Sequence, residues 1–169
     1  MLRILATLLR PSSGEGEILG LPLRTGGDEI RAGIGFVSAR GFLYDELTAA
    51  ENLRFAARLG GFRLAGSRVE DLIAGAGLSH ASEQRVRTFS TGMRRRLALA
   101  TLSVRPVRLA LLDEPYAGLD PEGVAYVDTM VDQLRGAGTA VVIASHQEGR
   151  ATRDADLAAR IDAGRLRVA

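Results

Sequence analysis

The chain contains no lysine: all 22 of its basic residues are arginine. It also has no cysteine and no tryptophan, and aromatic residues make up only 5% of its 169 positions. Without cysteine there is no disulfide framework, no thiolate metal site and no cysteine nucleophile. That fits a cytosolic location. No apolar run approaches the roughly 18 residues of a membrane-spanning helix. The first ten residues, with Arg3 and Arg10, lack the small-residue cleavage site of a signal peptide. Any membrane connection is therefore expected through a partner. A net charge of +2 is too small to point to nucleic acid. The pI near 9.6 reflects basic groups that are all arginine rather than a basic surface.

What remains is an ordinary globular composition, 46% hydrophobic and 25% charged. Such a length suits one domain that buries roughly 70% of the surface of its unfolded chain. Met1, Ile4, Leu5 and Leu8 fall at i, i+3, i+4 and i+7 and predict a helix that Pro11-Ser12-Ser13-Gly14 stops. No capping residue stands before it. Ile18-Leu19-Gly20-Leu21 predicts a short strand and its turn, and Ile34 to Ser38 a second strand. From Leu47 to about Leu78 the pattern is helical. Thr48 and Glu51 form a capping box, with Leu53, Phe55 and Leu59 behind it and Val69, Leu72 and Ile73 further on. Ser90 to Leu102 is another helix, capped by Ser90 or Thr91.

Then the period changes. Leu109 to Leu112 and Ala140 to Ala144 are continuous apolar runs, the pattern of strands buried on both faces. Between them Val124, Val127, Val131 and Leu134 line one helical face. Strand, helix, strand of this kind predicts a βαβ unit in a mainly parallel sheet. Leu157 to Val168 reads as a last strand with a turn at Gly164. The class is α/β, a mainly parallel sheet flanked by helices.

Three stretches carry chemistry. In "RLALLDEPYAGLD" an apolar strand delivers Asp113 and Glu114 to its carboxyl end, where open parallel sheets bind ligands. One carboxylate there can hold Mg²⁺ through water, and its neighbour can orient an attacking water. By itself the same stretch is equally a solvated turn. In "FSTGMRRRLALA" Ser90, Thr91 and Gly92 offer a hydroxyl and backbone N–H groups at a helix start, suited to phosphate. Arg94-Arg95-Arg96 behind them reads as a solvated or partner-facing patch. In "VVIASHQ" a strand hands over to Ser145 and His146 at the same sheet edge as Asp113, where an imidazole can hydrogen-bond a terminal phosphate. His80 is read as structural.

Taken in order, Ser90-Thr91-Gly92-Met93, Asp113-Glu114-Pro115, Gly118-Leu119-Asp120 and Ser145-His146 resemble the ATP-binding-cassette (ABC) ATPase domain from residue 2 to about 167. The resemblance implies a P-loop NTPase-like fold, a single domain over residues 1–169 with a helical signature subdomain at about 45–104, and ATP with Mg²⁺ as cofactors. It implies that Asp113 positions Mg²⁺, Glu114 polarises the attacking water and His146 touches the γ-phosphate. Ser90, Thr91 and Gly92 would contact ATP held by a second ABC ATPase subunit in a head-to-tail dimer. Asp120 would couple the two sites. The further partners implied are integral membrane transporter subunits and no nucleic acid, with the chain peripheral on the cytoplasmic face of the membrane. The run from Phe89 to Gly123 is similar to exporter subunits, among them the haem-exporter type of cytochrome c maturation. A soluble ABC ATPase and a non-catalytic interaction protein are the alternatives.

The sequence also departs from the family pattern. Phe89, Thr91 and Met93 stand where Leu, Gly and Gln are common. Arg40 aligns with a glutamine that senses Mg²⁺, and Phe42 to Thr48 with the stretch beside the membrane-domain contact. The phosphate loop G-x-x-x-x-G-K-[ST] has no counterpart, and a lysine-free chain has no side chain to supply it. The resemblance puts that loop directly before Met1, and its strand beside the Asp113 strand. The expectation is a truncated version of a working ATPase, which retention of Glu114 and His146 favours over a degenerate subunit.

Overall fold

The computed structural model describes residues 1–38, 41–146 and 155–168. In chain order the helices and strands are α1 (Leu2–Leu5), β1 (Glu17–Ile18), β2 (Leu21–Pro22), α2 (Gly27–Gly33), β3 (Ile34–Val37), α3 (Ala49–Leu59), α4 (Gly66–Gly75), α5 (Thr91–Ala100), β4 (Leu109–Asp113), α6 (Pro121–Gly136), β5 (Ala140–Ala144), β6 (Ala159–Asp162) and β7 (Arg165–Val168). No helix among the described residues is long and apolar enough to cross a membrane.

The central sheet is parallel, in the order β3-β4-β5. Ile34 lies opposite Leu109, Leu109 opposite Ala140, and Asp113 opposite Ala144. Because successive strand residues face opposite sides, β4 divides its side chains between two cores. Ala110 and Leu112 pack with Val127 and Met130 of α6 and Leu99 of α5. Leu111 packs on the other face with Leu2, Ile18, Ile30 and Ile34. A third core joins α3, α4 and α5 through Leu53, Val69, Ile73 and Leu97. The sheet's carboxyl edge, where β4 and β5 end side by side, is therefore anchored by the fully buried centre of β4.

Several expectations change. The helix at Met1 does not run to Pro11: it ends after one turn, and Thr7 adopts φ +58°. The residues that dock are Leu2 and Ala6, whereas Met1, Leu8 and Leu9 are exposed. A stripe of only one i,i+4 pair holds one turn. Leu59, expected on an apolar face, is 74% exposed at the end of α3. β5 is half-buried rather than buried on both faces, because it borders the three-stranded sheet with a partner on one side only. β4 has a neighbour on each side, so no further strand can lie beside the Asp113 strand. The tail is an antiparallel hairpin, β6 against β7, in a sheet of its own. α2 has no periodic signal because it buries only Ile30. Two of its last carbonyls, and that of Ile34 at the start of β3, are satisfied from a distance: the Arg105 guanidinium donates to Arg31 O at 3.1 Å, to Ile34 O at 2.6 Å and to Ala32 O.

Candidate functional site

Glu114 sits where β4 leaves the sheet. Its amide donates to Ala144 O at 2.8 Å, continuing the ladder by one residue. Its φ is +52°, a left-handed conformation that costs an L-residue about 1–2 kcal/mol. Such a conformation persists where the surroundings over-determine it, and here they do. The Glu114 carbonyl accepts from the Arg95 guanidinium. Its Oε2 accepts from Ser145 Oγ at 3.1 Å, and its Oε1 from the His146 amide at 2.8 Å. The His146 Nδ1 also lies 2.8 Å from Oε1. Burial pushes the Glu114 carboxyl up, but the hydrogen bonds from His146 and Ser145 outweigh it and leave the group below its ordinary value. Asp113, half-buried, lies one residue back in register with Ala144.

The Ser90–Met93 segment is a helix start. Ser90 caps α5, its Oγ accepting from the Met93 amide at 3.2 Å. The hydroxyl proton is left to donate outward. Thr91 is exposed. Gly92 faces the loop after β4, since a Cβ built on it would lie 4.0 Å from Leu119 Cδ2. Asp120 caps α6, accepting from the Gly123 amide at 2.8 Å with Pro121 in the first helical turn. Arg40 lies outside the described residues.

Thus the sheet edge brings Asp113, Glu114 and His146 together, while Gly92 at the start of α5 lies near Leu119, the residue before the Asp120 cap. Three contributors carry no sequence motif of their own. Ser145 stands in the sequence only as the residue before His146. Arg95 reads in the sequence as one member of a solvated or partner-facing patch, yet it holds the Glu114 carbonyl. Asn52 is 3% exposed and binds the segment before α3: its Oδ1 accepts from the Tyr44 amide at 2.8 Å, and its Nδ2 donates to Tyr44 O at 3.1 Å and Thr48 O at 3.0 Å. An asparagine among Ala49, Leu53 and Ala57 on one helical face was the available signal.

Two carboxylates, a hydroxyl and an imidazole at one strand edge fit a terminal phosphate, a water and a hydrated cation. Among the described residues no three His, Asp or Glu side chains converge on a metal position. A Mg²⁺ beside Asp113 would accordingly take its remaining ligands from water and phosphate oxygens.

A family model described as "ABC transporter" matches residues 1–117. The chain belongs to the ABC transporter ATP-binding family. This ABC domain is 38% identical over 167 residues to the daunorubicin/doxorubicin resistance ATP-binding protein DrrA of Streptomyces peucetius, covering 98% of this chain and 51% of that protein. It is 36% identical over 146 residues to the cytochrome c biogenesis ATP-binding export protein CcmA of Cupriavidus necator, covering 86% of this chain and 64% of that protein. Among solved structures, the ATP-binding cassette MJ0796, a dimer in a post-hydrolysis state bound to ADP and Pi, matches with a TM-score of 0.76 and 25% identity, over 86% of this chain and 68% of that one. An ATP-binding subunit of an ABC transporter matches with a TM-score of 0.80 and 25% identity, over 92% of this chain and 66% of that one. The ABC domain described here spans from about half to two thirds of the length of these curated relatives.

Proposed function

We propose that this ABC domain is part of the ATP-hydrolysing subunit of an exporter. The observation that carries this reading is the Glu114 carboxylate, held at the end of β4 by Ser145 and His146 from the end of β5. Bound Mg-ATP would supply the scissile γ-phosphate and the cation that offsets its charge. Asp113 would hold the hydrated cation. Glu114, kept ionised by its hydrogen bonds, would accept from the attacking water and orient it. His146 has a side chain that is 73% exposed, so its ring has room to leave Glu114 and donate to a terminal phosphate oxygen. The Ser90 hydroxyl and the first amides of α5 would donate to phosphate across a head-to-tail dimer. The dimeric, ADP-bound state of MJ0796 supports that assembly. Asp120, at the start of α6, would lie at the same dimer seam.

A membrane subunit would dock on the groove between β3 and α3. This groove has a volume of about 860 Å³ and is lined by Phe36, Phe42, Tyr44, Phe55 and Phe62. Phe42 and Tyr44 are 68% and 52% exposed, the apolar surface expected of an interaction site. Export is supported by the likeness to CcmA, whose name describes an export protein. Haem is the cargo that the sequence resemblance implies, and the name of DrrA makes daunorubicin the comparison compound.

The test is ATP binding and hydrolysis, measured on this chain and on the complete reading frame that contains it. Mg-ATP should raise the melting temperature of the complete protein, and Glu114→Gln should abolish turnover while sparing binding. Wild-type turnover in Glu114→Gln would sink this assignment.

A further inference from the structure

Consecutive residues of an α-helix project about 100° apart, so three arginines in a row cannot share one face. In α5 they fan out to three different elements. Arg94 Nη1 meets Asp45 Oδ1 at 2.7 Å, in the segment between β3 and α3 that carries Phe42 and Tyr44. The Arg95 guanidinium donates to the Glu114 carbonyl. Arg96 Nη1 lies 3.6 Å from Glu122 Oε1, in the first turn of α6 directly after the Asp120 cap. The Arg96 side chain is only 11% exposed. It passes under Gly77, where any Cβ would come within 2.8 Å of Nη1. The run is therefore not a solvated patch. It is a strut whose three heads grip the groove segment, the end of β4 and the start of α6.

We propose that Arg95 is a positioning residue for Glu114, and that the Arg94-Arg95 pair links docking at the groove segment to the geometry of that carboxylate. The proposal deepens the functional reading above and rests on Glu114 holding the attacking water. Glu114 is gripped from two sides. Its amide and carboxylate are held from the β5 side by Ala144, Ser145 and His146. Its carbonyl is held from the helical side by Arg95. A left-handed residue between two such supports is sensitive to either one moving, because relaxing φ re-aims the carboxylate. Arg94 is the neighbour of Arg95 on a rigid helix and is tied to Asp45. A load on the Phe42–Thr48 segment therefore reaches α5 through a charge-assisted hydrogen bond and leaves it one residue later at Glu114. The planar fork of arginine suits a fixed carbonyl, and a lysine would supply the charge without the geometry.

Two measurements test this, one of them independent of catalysis. In amide hydrogen exchange on the chain without nucleotide, Arg95→Gln should raise exchange at residues 113–117 by about tenfold with the global melting transition retained, and Arg95→Lys should restore part of the protection. Arg94→Gln and Asp45→Asn should each raise exchange in residues 42–48 and also at 113–117. The swapped pair Asp45→Arg with Arg94→Asp should recover both. In the complete ATPase, Arg95→Gln should lower kcat by about 10- to 100-fold, the size of effect that a small misplacement produces, with KM for ATP unchanged. Unchanged exchange at 113–117 in Arg95→Gln overturns the positioning role. A response to Arg94→Gln confined to residues 42–48 overturns the link. Raised exchange at 113–117 alongside wild-type turnover in Glu114→Gln overturns the functional reading alone.

Discussion

Glu114 Oε1 meets both the backbone amide and the ring Nδ1 of His146 at 2.8 Å, so one carboxylate oxygen joins the ends of two neighbouring parallel strands. The pairing gives the site an acid-sensitive element. Hydrogen bonding from His146 and Ser145 overcomes the effect of burial and holds the Glu114 carboxyl below its ordinary value of 4.5. A group whose folded pKa is depressed adds stability above its unfolded value and loses it as the pH falls through the lower one. Between pH 6 and pH 3 the wild type should therefore lose more stability than Glu114→Gln does. Urea titrations at the two pH values check this, and an identical loss in both proteins would contradict it.

Asn52 should be worth more than its size suggests. Replacing it with Ala leaves the Tyr44 amide without its acceptor, while the Tyr44 and Thr48 carbonyls each lose one donor and keep the backbone amides of Leu47 and residue 52. One orphaned donor costs about 1–3 kcal/mol, so Asn52→Ala should destabilise by about 1–3 kcal/mol and lower Tm by roughly 2–12 °C. Asn52→Asp keeps the acceptor for the Tyr44 amide but sets a carboxylate oxygen against two carbonyls. Its stability should recover on acidification, a trend that calorimetry at pH 7 and pH 4 would reveal.

Two glycines near the end of α4 should answer differently to alanine. Gly77 has φ +67° and the Arg96 guanidinium where its Cβ would go. Gly77→Ala should cost at least about 1–2 kcal/mol from the backbone alone. A Cβ on Gly75 meets nothing within 4 Å, and Gly75→Ala should stabilise by about 0.5–1 kcal/mol. Paired chemical denaturation curves are the check. Equal effects would contradict the left-handed conformation of Gly77.

Tyr126 should resist ionisation. Burial raises its phenol to about 12, against a smaller opposing effect of nearby Arg96. The folded state then keeps a proton that the unfolded state gives up near 10, so stability should fall as the pH rises from 10 towards 12. Absorbance titration at alkaline pH should show a late tyrosinate phase that Tyr126→Phe removes.

Much of the scaffold is visible in one dimension because its causes are local. Thr48 and Glu51 form the expected capping box, with Oγ1 accepting from the Glu51 amide at 3.3 Å and Glu51 Oε2 from the Thr48 amide at 2.8 Å. The apolar runs at 109–112 and 140–144 are adjacent parallel strands. Ser90 caps α5 and Asp120 caps α6. Each of these depends on residues within a turn or on period alone. α2 was invisible for the opposite reason. Two of its last carbonyls are completed by Arg105, 73 residues from Ala32 in the chain, and no window of the sequence contains both.

The sequence by itself determined the order of the motifs, and with it the family, because a strand ending in Asp-Glu and a helix beginning Ser-Thr-Gly are chemical signals readable in place. Only the tertiary structure decided what the arginines do. Arg94 is 49 residues from Asp45, and Arg95 is 19 from Glu114. A guanidinium written on a helix carries no mark of which neighbour it will meet. That choice is made when α5 packs between the groove segment, β4 and α6. It converts three like charges from a patch into a strut, and an isolated glutamate into one held from both sides.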